Sequence, residues 1–411
     1  MTSKYLNRFA ALAALLLCAA ACIYPFETRI SDSGEWPLVV EGDILIGDQT
    51  IVSLSHVHPF SASNNDFQSF SAVGYIEGED GTRVESADRF SLDDATWSPS
   101  ARSEAVVYFD TRTLSPGQRY RLHLTTRGQD GQVLNSYESD WLEPCPAPTI
   151  DALTYSYHPE YGEMWVGLSM HCNGSHYFRW YFEETWEYHS DINSLFYYSL
   201  LEQKVKQYKY DEPTLYYCWD NAKSKQIQIF STVNQTEDRF EELAFHRIGL
   251  SDKRLQILYR ITVHLSAISE DAYNYWNNIK QGSEEQGSIF SPTPSEMASN
   301  VHCVSDPSVQ VVGYLNLSAQ ATSVMYYDNL QNHFFKPGRP HLRDDKKVSV
   351  NQPDSMNFWY LNGLRPFEEI YGSIVPTMEP THYMWTPASC IDCRMEGGSK
   401  DKPADWPNND K

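Results

Sequence analysis

From Trp36 onward the chain alternates short β-rich runs with turn signals. Pro37 to Ile46, Thr50 to Leu54, Phe70 to Ile76, Glu104 to Phe109, Tyr120 to Thr126 and Val133 to Trp141 read as strands, separated by Gly47-Asp48, the acidic turn Glu77 to Gly81, and Gly128 to Gly131. Strands this short at this spacing predict an antiparallel sandwich over residues 36–145. Within it, Leu114-Ser115-Pro116-Gly117-Gln118-Arg119-Tyr120 resembles the tyrosine corner of immunoglobulin- and fibronectin-type domains, which makes Tyr120 a structural residue.

Glu143 to Pro148, with three prolines, reads as an extended connector and places a boundary near residue 146. Beyond it, Ile150 to Tyr157, Glu163 to Met170, Tyr177 to Glu187, Tyr216 to Asp220, Gln226 to Thr232 and Arg254 to His264 read as strands of a larger β-rich domain over residues 147–398. One element breaks the pattern. Ser269 as a cap, Glu270 and Asp271 in a first turn, and Ala272, Tyr273, Tyr275, Trp276 and Ile279 at helical spacing predict a single amphipathic helix packed on that domain. Val309 to Ser318 and Thr322 to Tyr327 read as a closing hairpin, Asn329 to Met356 as a long polar excursion, and residues 399–411 as a polar, disordered tail. The fold class expected is therefore mostly β, an immunoglobulin/fibronectin-like sandwich followed by a larger β-rich domain.

The first 21 residues change the picture. Lys4 and Arg8 precede the apolar Phe9 to Leu17, then come Ala19, Ala20 and Ala21 before Cys22, which is the order of a secretory signal. The apolar stretch falls short of the roughly 20 residues a spanning helix needs. A cysteine directly after the small residues suits lipoprotein processing, so Cys22 is the candidate lipidation residue, whereas Cys18 follows the bulky Leu17. Residues 22–35 then form a tether, and the acyl chains hold the mature protein to a membrane.

Charge narrows the partners. With 32 Lys plus Arg against 54 Asp plus Glu, the chain is strongly acidic, and its largest basic cluster, Arg343, Lys346 and Lys347, is interrupted by Asp344 and Asp345. A nucleic-acid partner is not expected.

Six cysteines follow Cys22, and an exported chain can pair them. Cys390-Ile391-Asp392-Cys393 has the spacing of a disulfide lock, a metal site or a redox pair. The surroundings read as a loop and favour the lock, with Cys218 the preferred partner for one of the two. No metal or cofactor is expected. Nucleophile elbow, zinc-protease, phosphate-loop and dinucleotide motifs are not found; Glu183-Glu184 and Glu241-Glu242 are carboxylate pairs of the kind a glycosidase uses, but adjacent acids read as a solvated surface. The densest aromatic run, Tyr177 to Phe182, places Tyr177, Arg179 and Tyr181 on one strand face and Phe178, Trp180 and Phe182 on the other. The second face reads as core, and the first as a candidate ligand or partner surface.

Several segments carry a family resemblance: Leu38 to Gly42, Tyr217-Cys218-Trp219, Tyr273 to Trp276 with Gly287-Ser288-Ile289-Phe290, Val312-Gly313-Tyr314, and the ending Cys390 to Arg394 with Gly397-Gly398, Pro403 and Trp406. Together they resemble the Bacteroidetes outer-membrane lipoproteins of domain-of-unknown-function 4249. The resemblance implies a lipid-anchored, surface-exposed protein without enzymatic activity, working beside a TonB-dependent transporter in nutrient uptake. A stand-alone glycan- or peptide-binding lipoprotein is the second expectation and a hydrolase the third.

Overall fold

A computed structural model describes residues 37–57, 70–87, 105–209, 212, 214–284, 299–338, 343–372 and 379–407. The segment expected as a signal, Cys22 with its expected tether, and Gly287 to Phe290 lie outside the described residues.

The chain opens with β1 (Leu38–Glu41), β2 (Ile44–Leu45), β3 (Gln49–His56), β4 (Ser71–Gly78), β5 (Arg83–Ala87), β6 (Ala105–Asp110), β7 (Tyr120–Arg127), β8 (Val133–Ser139) and β9 (Pro144–Cys145). Strand β5 pairs with β4 through Tyr75↔Glu85 and with β6 through Ser86↔Phe109, so it joins β8-β7-β4 to β6-β3-β1. Both halves turn apolar side chains inward, among them Leu38, Val40, Leu54, Ile76, Phe109, Leu122 and Leu124. This sandwich-like core includes Tyr120, whose buried Oη accepts from the Ser115 amide at 2.8 Å and from Gln118 Nε2 at 2.6 Å, the corner bond expected from the sequence.

Next come β10 (Thr149–His158), β11 (Glu163–His171), β12 (Tyr177–His189), β13 (Phe196–Ser199), β14 (Lys204–Gln207), β15 (Tyr217–Lys223), β16 (Gln228–Ser231), β17 (Arg239–Gly249) and β18 (Leu258–Ala267). One sheet runs β10-β11-β17 and another has β12 between β15 and β18, with β16 also on β12. They enclose a second core in which Met164, Val166, Leu168 and Met170 meet Phe178, Trp180, Phe182 and Ile261. Strand β12 alternates without a break, so even-numbered residues from Phe178 to Tyr188 are buried and odd-numbered ones half-buried.

Helix α1 (Glu270–Glu284) follows, its start capped by Ser269 Oγ, which accepts from the Ala272 amide at 3.1 Å. The expected hairpin after it does not form. Instead β19 (Val301–Cys303) extends β8, β20 (Val311–Val312) lies parallel to β1, and β21 (Leu317–Ser318) lies between β2 and β9, while β22 (Gln320–Asp328) joins β18. Residues 301–318 thus complete the first core, burying Val301, Leu315 and Leu317 in it. Gly313 makes this return close-fitting: at φ +138° a Cβ there would lie 2.0 Å from the Val40 carbonyl oxygen.

The region expected as a polar excursion is also structured. β23 (Lys346–Ser349), α2 (Pro353–Leu361), β24 (Leu364–Ile370) and β25 (His382–Pro387) form a small layer around Tyr198, Val348, Met356 and Trp385. So α1 is not the one helix. The tail differs from expectation as well. It is ordered to Pro407, with Ser399 bridged to Trp219 and Trp406 buried, its Nε1 donating to Glu187 Oε2 at 3.0 Å.

Candidate functional site

Glu184 is the charged position on the core-facing side of β12, 5 % exposed. A carboxylate there is tolerated only with strong partners, and three residues supply them. His246 Nε2 of β17 lies 2.9 Å from Glu184 Oε1, Arg254 donates to the same oxygen at 2.9 Å, and Tyr259 Oη of β18 donates to it at 2.7 Å. Arg254 also grips Asp252 at 2.8 Å. Burial opposes ionisation of Glu184, but the hydrogen bond and charge of His246, the charge of Arg254 and the hydrogen bond from Tyr259 outweigh it and hold the carboxyl below its ordinary range. All three contacts fall on Oε1, leaving Oε2 without a protein donor among the described residues.

That carboxylate lines a cleft of about 360 Å³ between β17 and the β15–β16 connection, bounded by Phe182, Ser224, Lys225, Gln226, Gln228, Phe245, His246 and Arg247. The volume is that of a small-ligand site. Arg247 links it to an aromatic ledge: its guanidinium sits 4.4 Å from the Trp165 ring, which stacks on His158 at 3.9 Å and on Tyr161 at 5.5 Å. Tyr161 is 65 % exposed, so the end of that stack is open to a ligand. A second cleft of about 390 Å³ lies where α1 meets the first core, lined by Asp140, Asp271, Asn274, Tyr275, Asn278, Ser299, Asn300 and Tyr314.

The face expected to be an open platform is covered by the chain itself. Tyr177 packs on Tyr273 of α1 at 5.1 Å, and Arg179 pairs with Asp43 of the first core at 3.2 Å while lying 4.3 Å from the Trp276 ring. Tyr181 stacks on His264 at 4.5 Å, and burial pushes its phenol pKa up. Arg179 therefore forms a seam with the first core, while Tyr177 packs on α1 and Tyr181 on its cross-strand neighbour, so each of the three half-buried residues already holds an intramolecular partner. The opposite face, Phe178, Trp180 and Phe182, is core as expected.

A family model for domain of unknown function (DUF4249) matches residues 23–323, nearly three-quarters of the chain. The chain belongs to the DUF4249 family. No curated protein matches it. In this DUF4249 chain the Glu184 cleft, the aromatic ledge and the seam all lie inside the matched residues, whereas the Cys390 to Cys393 segment lies past their end.

Cys218 and Cys393 form a disulfide, with Cα atoms 5.8 Å apart, that ties β15 to the C-terminal segment across 175 residues. Cys390 takes no part in it: it is a buried free thiol whose pKa is raised, chiefly by burial. Of the adjacent acids, Glu183 and Glu184 point to opposite faces of β12, Glu183 reaching Lys223 at 2.7 Å. Glu241 is exposed beside Arg239, and Glu242 sits at a left-handed φ of 51° where the β17 ladder shifts register. Sequence reasoning named Glu184 only within an adjacent-acid pair read as solvated surface, whereas it is buried, and it missed His246, Arg254 and Tyr259. The usable signal was alternation, because a glutamate on the buried face of a strand demands partners from elsewhere.

Proposed function

We propose that this chain is a lipid-anchored, non-enzymatic outer-membrane protein that captures a ligand for, or completes the outer face of, a TonB-dependent transporter. Cys22 carries the lipid, the body faces the cell exterior, and the Glu184 cleft holds the cargo. The observation that carries the reading is that cleft. It is preformed, and its buried carboxylate is kept ionised by three fixed partners. Such a group suits steady hydrogen-bond acceptance better than proton exchange near neutral pH. The anchoring half rests on the charged, apolar and small-residue order before Cys22, and the family match begins at the next residue, Ile23.

The open Tyr161 end of the Trp165 stack also suits a second reading, a glycan- or peptide-binding lipoprotein that acts without a transporter. Mass analysis of the mature N-terminus tests the anchor common to both. The proposal expects acylated Cys22 in the membrane fraction and release of Cys22→Ala from it. A mature chain that is soluble and unacylated would refute it.

A further inference from the structure

We infer that the Glu184 cleft recognises a saccharide bearing a carboxylate, an inference that builds on the ligand-capture reading and names its ligand class. Three features of the cleft define that chemistry. The first is a fixed acceptor: Glu184 Oε1 is saturated by His246, Arg254 and Tyr259, while Oε2 receives no protein donor among the described residues and remains for hydroxyl groups. A charged acceptor makes the stronger class of hydrogen bond with a hydroxyl donor. The second is the mixture of surfaces. Ser224, Gln226 and Gln228 offer hydroxyl and amide groups, and Phe182 and Phe245 offer apolar surface, which together match a ring whose edge is hydroxylated and whose face is C–H.

The third is charge. The whole chain carries a formal −22, yet Lys225 and Arg247 both line this cleft, and Arg254 behind it offsets Glu184. A local cationic rim on an acidic protein selects an anionic group and turns away most other surfaces. Arg247 then continues the site outward. It covers Trp165 on the outer face of the β10-β11-β17 sheet, opposite the His246 side, so a second sugar ring of the same oligomer that passes the β17 edge meets the exposed Tyr161 there. An acidic peptide shares the charge but lacks the neighbouring hydroxyls that Oε2 would accept.

Titration calorimetry on the full-length protein in detergent tests this with four probes: oligomers of galacturonate, glucuronate and N-acetylneuraminate, and triglutamate. At least one acidic saccharide is expected to bind, with affinity reduced at least tenfold by Lys225→Met, by Gln226→Ala and by methyl-esterification of the sugar. Failure of all three saccharides, tighter binding of triglutamate, or affinity indifferent to both variants would overturn the inference. Co-purification of a transporter is measured separately. If it persists while every saccharide fails, the ligand class falls and the accessory role stands.

Discussion

Tyr259 and Glu184 stand diagonally across neighbouring strands of one sheet, and the phenol of the first donates to Oε1 of the second at 2.7 Å. Because Tyr259 is completely buried, its hydroxyl has no water to fall back on. Tyr259→Phe is expected to cost about 1–3 kcal/mol in chemical denaturation, the range for depriving a buried charged acceptor of one donor. Glu184→Leu is expected to cost at least as much, because it takes one of two carboxylates from the half-buried Arg254 and leaves the buried Tyr259 hydroxyl without its acceptor. Equal stability of both variants and the parent would show that the network contributes nothing to the fold.

The same carboxylate sets a pH dependence. Its folded-state pKa lies below the ordinary 4.5, so the unfolded chain takes up a proton first as pH falls. Glu184 therefore adds stability that is complete above pH 4.5 and is lost as pH drops through the lower folded value. Comparing Glu184→Gln with the parent at pH 6, pH 4.5 and pH 3 would reveal this as a stability gap that narrows on acidification, on the order of the shift itself. A gap that widened toward pH 3 would contradict the sign.

Peptide mapping without reduction is expected to recover Cys218 linked to Cys393, with Cys390 alkylated only after unfolding. The bridge closes a loop spanning 175 residues, for which chain entropy allows stabilisation of up to about 5 kcal/mol. Cys218→Ser is expected to lower the melting temperature by several degrees or more. A Cys390–Cys393 linkage would refute the assignment.

Gly398 sits against the bridge. A Cβ there would come within 2.4 Å of Tyr188 Oη and 3.0 Å of Cys218 Cβ, and Tyr188 Oη donates to the Cys393 carbonyl at 2.7 Å. Gly398→Ala is expected to destabilise by about 1–3 kcal/mol through overpacking, readable in thermal unfolding. Gly397→Ala meets no neighbouring atom but carries the left-handed φ of 97°, so it is destabilising through backbone strain alone.

How much of this was legible follows from what each residue needs. Strand β12 could be read directly, since strict alternation of Phe178, Trp180, Phe182 and Trp186 with half-buried neighbours is local information. Strand β17 could not: its ladder shifts register twice against β11, which destroys the period of two over Arg239–Gly249. Tyr120 announced its corner because donor and acceptor lie five residues apart. The partners of Glu184 lie 62, 70 and 75 residues away, and no local pattern encodes them. For the same reason Tyr177, Arg179 and Tyr181 looked free, since the Asp43, Tyr273, Trp276 and His264 that cover them come from other elements. The tail was misjudged on composition. A polar run holding one tryptophan reads as disorder until Glu187, 219 residues earlier, is seen to receive its indole N–H.

The accessory role is tested most directly by a mild-detergent pull-down of C-terminally tagged protein from its native membranes, analysed by mass spectrometry, with Cys22→Ala as the control that loses anchoring. Stoichiometric recovery of a TonB-dependent barrel is the predicted result. Recovery of the protein alone, from membranes in which such a barrel is abundant, would contradict it.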